Sequence, residues 1–185
     1  MKTSIYTSVS ALALIIGMPA VAQTVINNTS TINQSGAQNS ADVSQLGSGA
    51  ISTVEQEGIG TTSNPNTVKV DQAGDLSESE VTQSGNEGND VKVDQDGDSF
   101  SKVVQSGAMN TADVTQKGGA DNDSDVNQTG ISNDADVDQE GSGNISKVTQ
   151  TAIGQGATAD VSQFGEGNDS TITQMSEASA TVSQT

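Results

Sequence analysis

The sequence contains no cysteine and no histidine, which removes disulfides, thiolate nucleophiles, imidazole bases and most zinc sites together. Aromatic residues make up 2% of the chain and hydrophobic residues 31%, so a conventional oily core is not available. Positive charge is scarce: the six basic residues are all Lys and stand against 24 acids, for a formal net charge of −18, the opposite of the surface that nucleic acid requires. Low hydrophobicity with high net charge is the compositional mark of a disordered chain, because too little apolar surface is present to offset the loss of chain entropy. No nucleophile has a base at a defined spacing, so no enzymatic activity, catalytic residue or cofactor is expected.

Long apolar runs are missing as well. The stretch Val9 to Ile16 is too short to span a bilayer, and nothing later resembles a membrane span. Preceded by Lys2 and followed by the small-x-small segment Ala20-Val21-Ala22, it reads as a signal peptide over residues 1–22, so the mature chain is expected to begin at Gln23 and to be exported. Residues 23–29 are polar and unpatterned, and a repeat domain is expected over 30–185.

What the chain does have is a repeat, clearest from Asn133 to Gln150. A small residue (Ala135, Ser146) stands four before a Gln, a Val (Val137, Val148) stands two before it, and the Gln (Gln139, Gln150) closes the run. This alternation has period two, which predicts a strand with Ala135, Val137 and Gln139 on one face and Asp136 and Asp138 on the other. The segment Glu140 to Asn144 carries turn chemistry. The closing glutamines recur as Gln34, Gln45, Gln56, Gln72, Gln83, Gln95, Gln105, Gln116, Gln128, Gln139, Gln150, Gln163, Gln174 and Gln184. Val or Ile stands two before each of them without exception, Val43 and Val114 among them. Gly follows two after in eleven of the thirteen places where another unit comes next, so the turns are as regular as the strands. Gly36, Asn39, Gly107, Asn110, Gly130, Asn133, Gly141 and Asn144 are the expected turn residues. The insertions around Pro65 and around Gly154 to Gly156 fall between strands, where a loop can absorb them.

Four before each Gln, Ser alternates strictly with Ala or Val from Ser30 to Ala180. The true repeat is therefore a pair of units of about 22 residues, seven in all, and odd and even strands must occupy different environments. An all-β solenoid of seven coils meets this, with one strand of each coil in each of two facing sheets and parallel in-register stacking along the axis, polymerising as cross-β amyloid. At ~4.8 Å per coil the rod is roughly 30 to 35 Å long. Inward Gln residues can bond to one another along that axis, which satisfies amides that would be costly to bury alone.

The stretch Gln128 to Gln139 (QTGISNDADVDQ) reads Q-x-G-x-x-N-x-A-x-x-x-Q, and Gln34 to Gln45 and Gln105 to Gln116 have the same form. These units resemble the curlin repeat, and degenerate versions fill residues 30 to 185. The resemblance implies an extracellular functional-amyloid subunit of Gram-negative bacteria, exported through an outer-membrane channel and polymerised at the cell surface into biofilm matrix fibres that serve adhesion. It also implies that inward Gln and Asn carry polymerisation, that the partners are other copies of the chain and a second curlin subunit, and that one of the two subunits nucleates the other.

Two other classes remain open at this point: a monomeric solenoid that binds a ligand along one flat face, and an acidic disordered protein that holds cations. The first would show an outward Thr or Ser column in register, whereas Lys69, Lys92 and Asp136 share one position here. The second does not account for fourteen consecutive Val or Ile placements. Nor does the C-terminal Gln184-Thr185 supply a helix or loop to cover a terminal strand, which favours a fibre. Asp121 to Asp125 opens like a calcium loop, but Val126 stands where the loop needs Gly and Ser132 where it needs Glu, so no metal site is expected. Asn-x-Ser triplets such as Asn144-Ile145-Ser146 follow from the repeat itself.

Overall fold

The computed structural model describes residues 5–6, 27–152, 154 and 156–185. The expected signal peptide lies outside them apart from Ile5 and Tyr6, as do residues 23–26 of the polar segment that follows it. Fifteen strands and no helix are found among the described residues: β1 (Ile5–Tyr6), β2 (Thr29–Ala37), β3 (Asn39–Gln45), β4 (Ile51–Ile59), β5 (Asn66–Gln72), β6 (Glu78–Gly85), β7 (Asp90–Asp96), β8 (Ser99–Ala108), β9 (Thr111–Lys117), β10 (Asn122–Ile131), β11 (Asp134–Ser142), β12 (Ile145–Gln150), β13 (Thr158–Glu166), β14 (Asp169–Gln174) and β15 (Ser179–Gln184).

The chain winds as a parallel β-solenoid of about seven turns with two strands per coil. One sheet runs β1-β2-β4-β6-β8-β10-β12-β14 and the other β15-β13-β11-β9-β7-β5-β3, so Ser-type strands stack on Ser-type and Ala-type on Ala-type. Register is kept residue for residue. Ser124, Val126 and Gln128 of β10 sit beside Ser146, Val148 and Gln150 of β12, and Ala135, Val137 and Gln139 of β11 beside Ala159, Val161 and Gln163 of β13. A one-residue slip would turn every Val outward and every Asp inward, which is why the period-two pattern specifies the pairing so firmly.

Between the sheets lies a thin core of Val stacked on Val. Val54, Val70, Val81, Val93, Val103, Val114, Val126, Val137 and Val148 are all fully buried. Each contributes on the order of 1.5–3 kcal/mol by leaving water, and the small Ser and Ala beside them let the sheets approach. The insertion that includes Pro65 lies between β4 and β5 and leaves the register of both strands intact. β1 pairs antiparallel along the outer edge of β2, Ile5 with Gln34 and Tyr6 with Asn33. β14 and β15 are the last strands of their sheets, and no described strand pairs with their outer edges.

The corners differ from the expected turns. Seven strands continue past the closing Gln and through the Gly, among them β2 with Gly36, β8 with Gly107, β10 with Gly130 and β11 with Gly141, whereas β3, β5, β12 and β14 end at the Gln. The chain changes direction later, and at nine of the thirteen corners the residue seven before the next Gln is left-handed: Gln38, Leu76, Met109, Asp121 and Ser132 have φ between 56° and 63°, and Gly143 and Gly167 have 65° and 69°, whereas Pro65, Asp98, Gly156 and Glu177 are not left-handed. The Gly column answers a second demand. A Cβ on Gly107 would stand 1.9 Å from the Gly130 carbonyl oxygen of the next coil, and one on Gly141 2.0 Å from that of Gly165. Close stacking of backbone, together with positive φ, excludes any side chain there.

Candidate functional site

Three inward positions recur in each strand from β2 to β15, at the Gln and at two and four residues before it, and a fourth, six before it, is the first residue of the strand or lies just ahead of it. The Gln residues form one continuous column per sheet. Gln139, fully buried, donates from Nε2 to Oε1 of Gln163 at 2.9 Å and accepts at Oε1 from Nε2 of Gln116 at 2.9 Å. Its second N–H reaches across the coil to the carbonyl oxygen of Asp123, 3.1 Å away on the facing sheet. The same pair of bonds recurs at Gln105, with Gln128 and Asp90, and at Gln150, with Gln174 and Asp134. Every axial bond points the same way, from Nε2 of one coil to Oε1 of the next toward the C-terminus, beginning with Gln34 to Gln56 and Gln45 to Gln72 and ending at Gln174 and Gln184. The direction is set by the cross-coil bond, because a flipped amide would press Oε1 against a carbonyl oxygen.

Six before nine of the fourteen closing Gln stands Asn, and of these Asn39, Asn110, Asn133 and Asn144 are expected from the sequence to lie in turns. Asn39, Asn66, Asn89, Asn110 and Asn133 stack at the start of the even strands, and Asn122, Asn144 and Asn168 at the start of the odd ones. Asn110 and Asn144 are fully buried, and Asn133 nearly so. Oδ1 of Asn110 accepts from the backbone N–H of Asn133 at 3.1 Å and from its Nδ2 at 3.1 Å, while Nδ2 of Asn110 donates to the Gly130 carbonyl oxygen at 3.1 Å. A backbone N–H can only donate, so these amides are fixed in direction too, and they run opposite to the Gln columns. The signal was available in the sequence: an offset of six is even, which places Asn on the inward face with Val and Gln.

The Ser column behaves differently. Oγ of Ser52, Ser79, Ser101, Ser124, Ser146 and Ser170 is buried without a hydrogen-bond partner. Neighbours one coil away lie ~4.8 Å off, beyond the reach of one hydroxyl to the next. Nothing in the structure explains why these positions carry Ser.

Outward, the two faces are unequal. On the odd face, the positions three before Gln alternate in sign from β6 to β12, as Glu80, Lys102, Asp125 and Lys147, and Lys102 pairs with Glu80 at 2.7 Å and Lys147 with Asp125 at 3.4 Å. On the even face Lys92 pairs with Asp113 at 3.1 Å and Lys69 with Asp71, but Asp136 stacks between Asp113 and Asp160 in register. Burial, then the carboxylates of Asp113, Asp160, Asp138 and Asp134, raise the pKa of Asp136 above the usual Asp value. Large exposed apolar side chains include Leu46, Leu76, Met109 and Met175 between strands and Ile51, Ile145 and Phe164 on strands. Among the described residues no group of three or more His, Cys, Asp or Glu converges to hold a metal, and no helix is long and apolar enough to cross a membrane.

The family model described as the curlin associated repeat matches residues 27–58, 119–151 and 132–175. The first match covers β2, β3 and most of β4, and the other two together run from the corner before β10 to the last residues of β14. No curated protein and no solved structure matches the chain.

Proposed function

We propose that the chain, whose residues 27–58 and 119–175 match the curlin associated repeat, is a curlin-family protein and a secreted subunit of a functional-amyloid fibre on the bacterial surface, with a structural role in biofilm matrix and adhesion. The observation that carries the reading is the state of the coil ends. At β14 and β15 the outer strand edges have no described partner, and the Gln columns stop with side-chain N–H groups unused along the axis. Unpaired strand edges with a fixed register are a template for another chain. The buried Gln columns and the Val beside them, Val43, Val114, Val137 and Val148 included, form the polymerisation core in this reading. Residues 1–22 direct export, and an outer-membrane channel and a second curlin subunit are the partners it calls for.

Nucleation should be slow, because the first coil has no neighbour to pair with, whereas each later coil adds to an existing edge. The test is to dilute the processed chain, residues 23 onward, out of denaturant and to follow circular dichroism and thioflavin fluorescence. Disordered chain should convert after a lag to β-rich fibres, and added fibre fragments should abolish the lag. A stable monomer with an immediate, concentration-independent β signal would sink the proposal.

A further inference from the structure

We propose that filaments pair side by side: the outer face of β4, β6, β8, β10, β12 and β14 packs on the same face of a second copy with the two solenoid axes antiparallel, so that β4 faces β14, β6 faces β12 and β8 faces β10. The proposal rests on the fibre-subunit reading and adds a lateral contact to it.

The first support is charge. Glu80, Lys102, Asp125 and Lys147 stack in register in one outward column. Ion pairs within the chain join Lys102 to Glu80 and Lys147 to Asp125, yet each of the four side chains is at least 38% exposed and so is open to a second partner. A column of four alternating charges is complementary to itself when reversed. A two-fold axis between β8 and β10 sets Glu80 on Lys147 and Lys102 on Asp125 of the second copy, and the same two pairs recur on the other side of the axis, as an isologous contact requires. With the axes parallel and the coils level, each of the four would instead meet its own kind, which is costly.

The second support is the column five before each Gln, where apolar and acidic residues alternate without a break: Ile51, Glu78, Phe100, Asp123, Ile145 and Asp169. The same axis sets Ile51 on Asp169, Glu78 on Ile145 and Phe100 on Asp123, so no acid meets an acid. The apolar residues of the two copies then fall at successive levels, first from one copy and then from the other, and make one zigzag seam with ~4.8 Å between levels. Ile51 and Ile145 are 43% and 46% exposed in the single chain, so the seam covers apolar surface that is otherwise wet. The opposite face offers no such register. Its outward positions one, three and five before Gln hold no apolar residue, and setting Lys69 on Asp136 and Lys92 on Asp113 there also sets Asp71 on Asp138 and Asp42 on Asp160.

The face is large enough. Six strands spaced ~4.8 Å apart, each of about six residues at ~3.3 Å, cover roughly 29 by 20 Å. Two such faces bury about 1,200 Å², the size at which specific interfaces begin.

Charge exchange tests both the contact and its direction. Processed chains of the parent, Lys102→Glu, Asp125→Lys and the double variant are polymerised at low salt, checked for fibres by thioflavin fluorescence, and weighed along their length by scanning transmission electron microscopy. Parent fibres should carry two chains per ~34 Å. Each single variant places two like-charge contacts across the axis and should fall two-fold, to one chain. The double variant should return to two. Within each chain it leaves Glu80 stacked on the new acid and Lys147 on the new base, so its recovery comes from the contact between copies alone. Parent fibres that are single filaments overturn the pairing and leave the fibre reading standing. Single variants that stay paired overturn the contact, and a double variant that stays single overturns the antiparallel register. If either single variant forms no fibres, Glu80→Lys, Lys147→Glu and their double take its place with the same expected results, because these two residues also face each other across the axis. Parent chain that forms no fibres overturns the fibre reading, and the pairing with it.

Discussion

Replacing Gln139 by Glu changes one heavy atom at a fully buried position and removes both of its N–H donors. Two acceptors lose their partners, Oε1 of Gln163 and the carbonyl oxygen of Asp123, at a cost of about 1–3 kcal/mol each. An ionised carboxylate facing both would cost more, so the Glu is driven to hold a proton in the stacked state and its pKa there rises above the unfolded value of about 4.3. The sign follows: the stacked state binds more protons than the unfolded one, so its stability is fully present below about pH 4.3 and is lost as pH climbs through the raised value. If only about 2 kcal/mol of the loss appears in the docking step, Gln139→Glu polymerises roughly 30-fold more slowly than parent at neutral pH. Near pH 4 the protonated carboxyl supplies one O–H donor and recovers part of the gap. Gln139→Met, which lacks donors at every pH, should be slow throughout. Asp138→Asn, one residue away on the outward face, should not slow assembly. Seeded thioflavin kinetics at several pH values, each taken as a ratio to parent at the same pH, measure all four. Equal slowing by Gln139→Glu and Asp138→Asn, or a Gln139→Glu ratio that does not move with pH, would refute the buried amide column.

Asp113, Asp136 and Asp160 stack one coil apart, and each contact repels by about 0.9 kcal/mol in water. The raised pKa of Asp136 means that acidification favours the stacked state, so assembly should quicken from pH 7 toward 4 and with added salt. Converting these three to Asn should reproduce the acceleration at neutral pH and low salt. Equal acceleration from neutralising Glu87, Asp98 and Glu166 would leave net charge as the sole cause. Gly107→Ala forces a methyl to 1.9 Å from the Gly130 carbonyl oxygen and should cost at least about 2 kcal/mol in seeded growth or thermal stability. Gly167→Asn, with φ 69° and no atom within 4 Å of the added Cβ, should be close to neutral in the same assay. Ser124→Ala removes a buried hydroxyl that has no partner, so it should leave fibre stability to denaturant unchanged or raise it by about 1 kcal/mol. A loss there would mean that the Ser column is hydrogen-bonded in the fibre.

Much of this architecture is legible in the sequence because its two signals are independent. Period two places Val137 and Gln139 on the inward face, and the alternation of Ser124 with Ala135 and Ser146 with Ala159 assigns strands to two sheets, as the observed pairing of odd with odd and even with even strands bears out. The residues alone assign Asn110 and Asn133 to turns and only the family resemblance implies that Asn points inward, because Asn is at home both in turns and in amide ladders and composition favours the turn. Only the parity of its offset from Gln separates the two. The left-handed corner was not legible because its occupants, such as Gln38, Met109 and Ser132, carry no common signal. Gly141 was read for backbone freedom alone, while its closer constraint is the carbonyl of Gly165 in the next coil, a contact that exists only once the coils have stacked. The direction of the amide columns likewise comes from cross-coil carbonyls, which no one-dimensional pattern displays.

The central claim is that each chain keeps its own coils in the fibre and that fibres grow coil upon coil. Mass per length of isolated fibres, measured by scanning transmission electron microscopy, tests it most directly. Seven coils at ~4.8 Å predict one chain for about 34 Å of each filament. A value near one chain per ~4.8 Å, the spacing of a flat amyloid in which each layer is a different molecule, would contradict it.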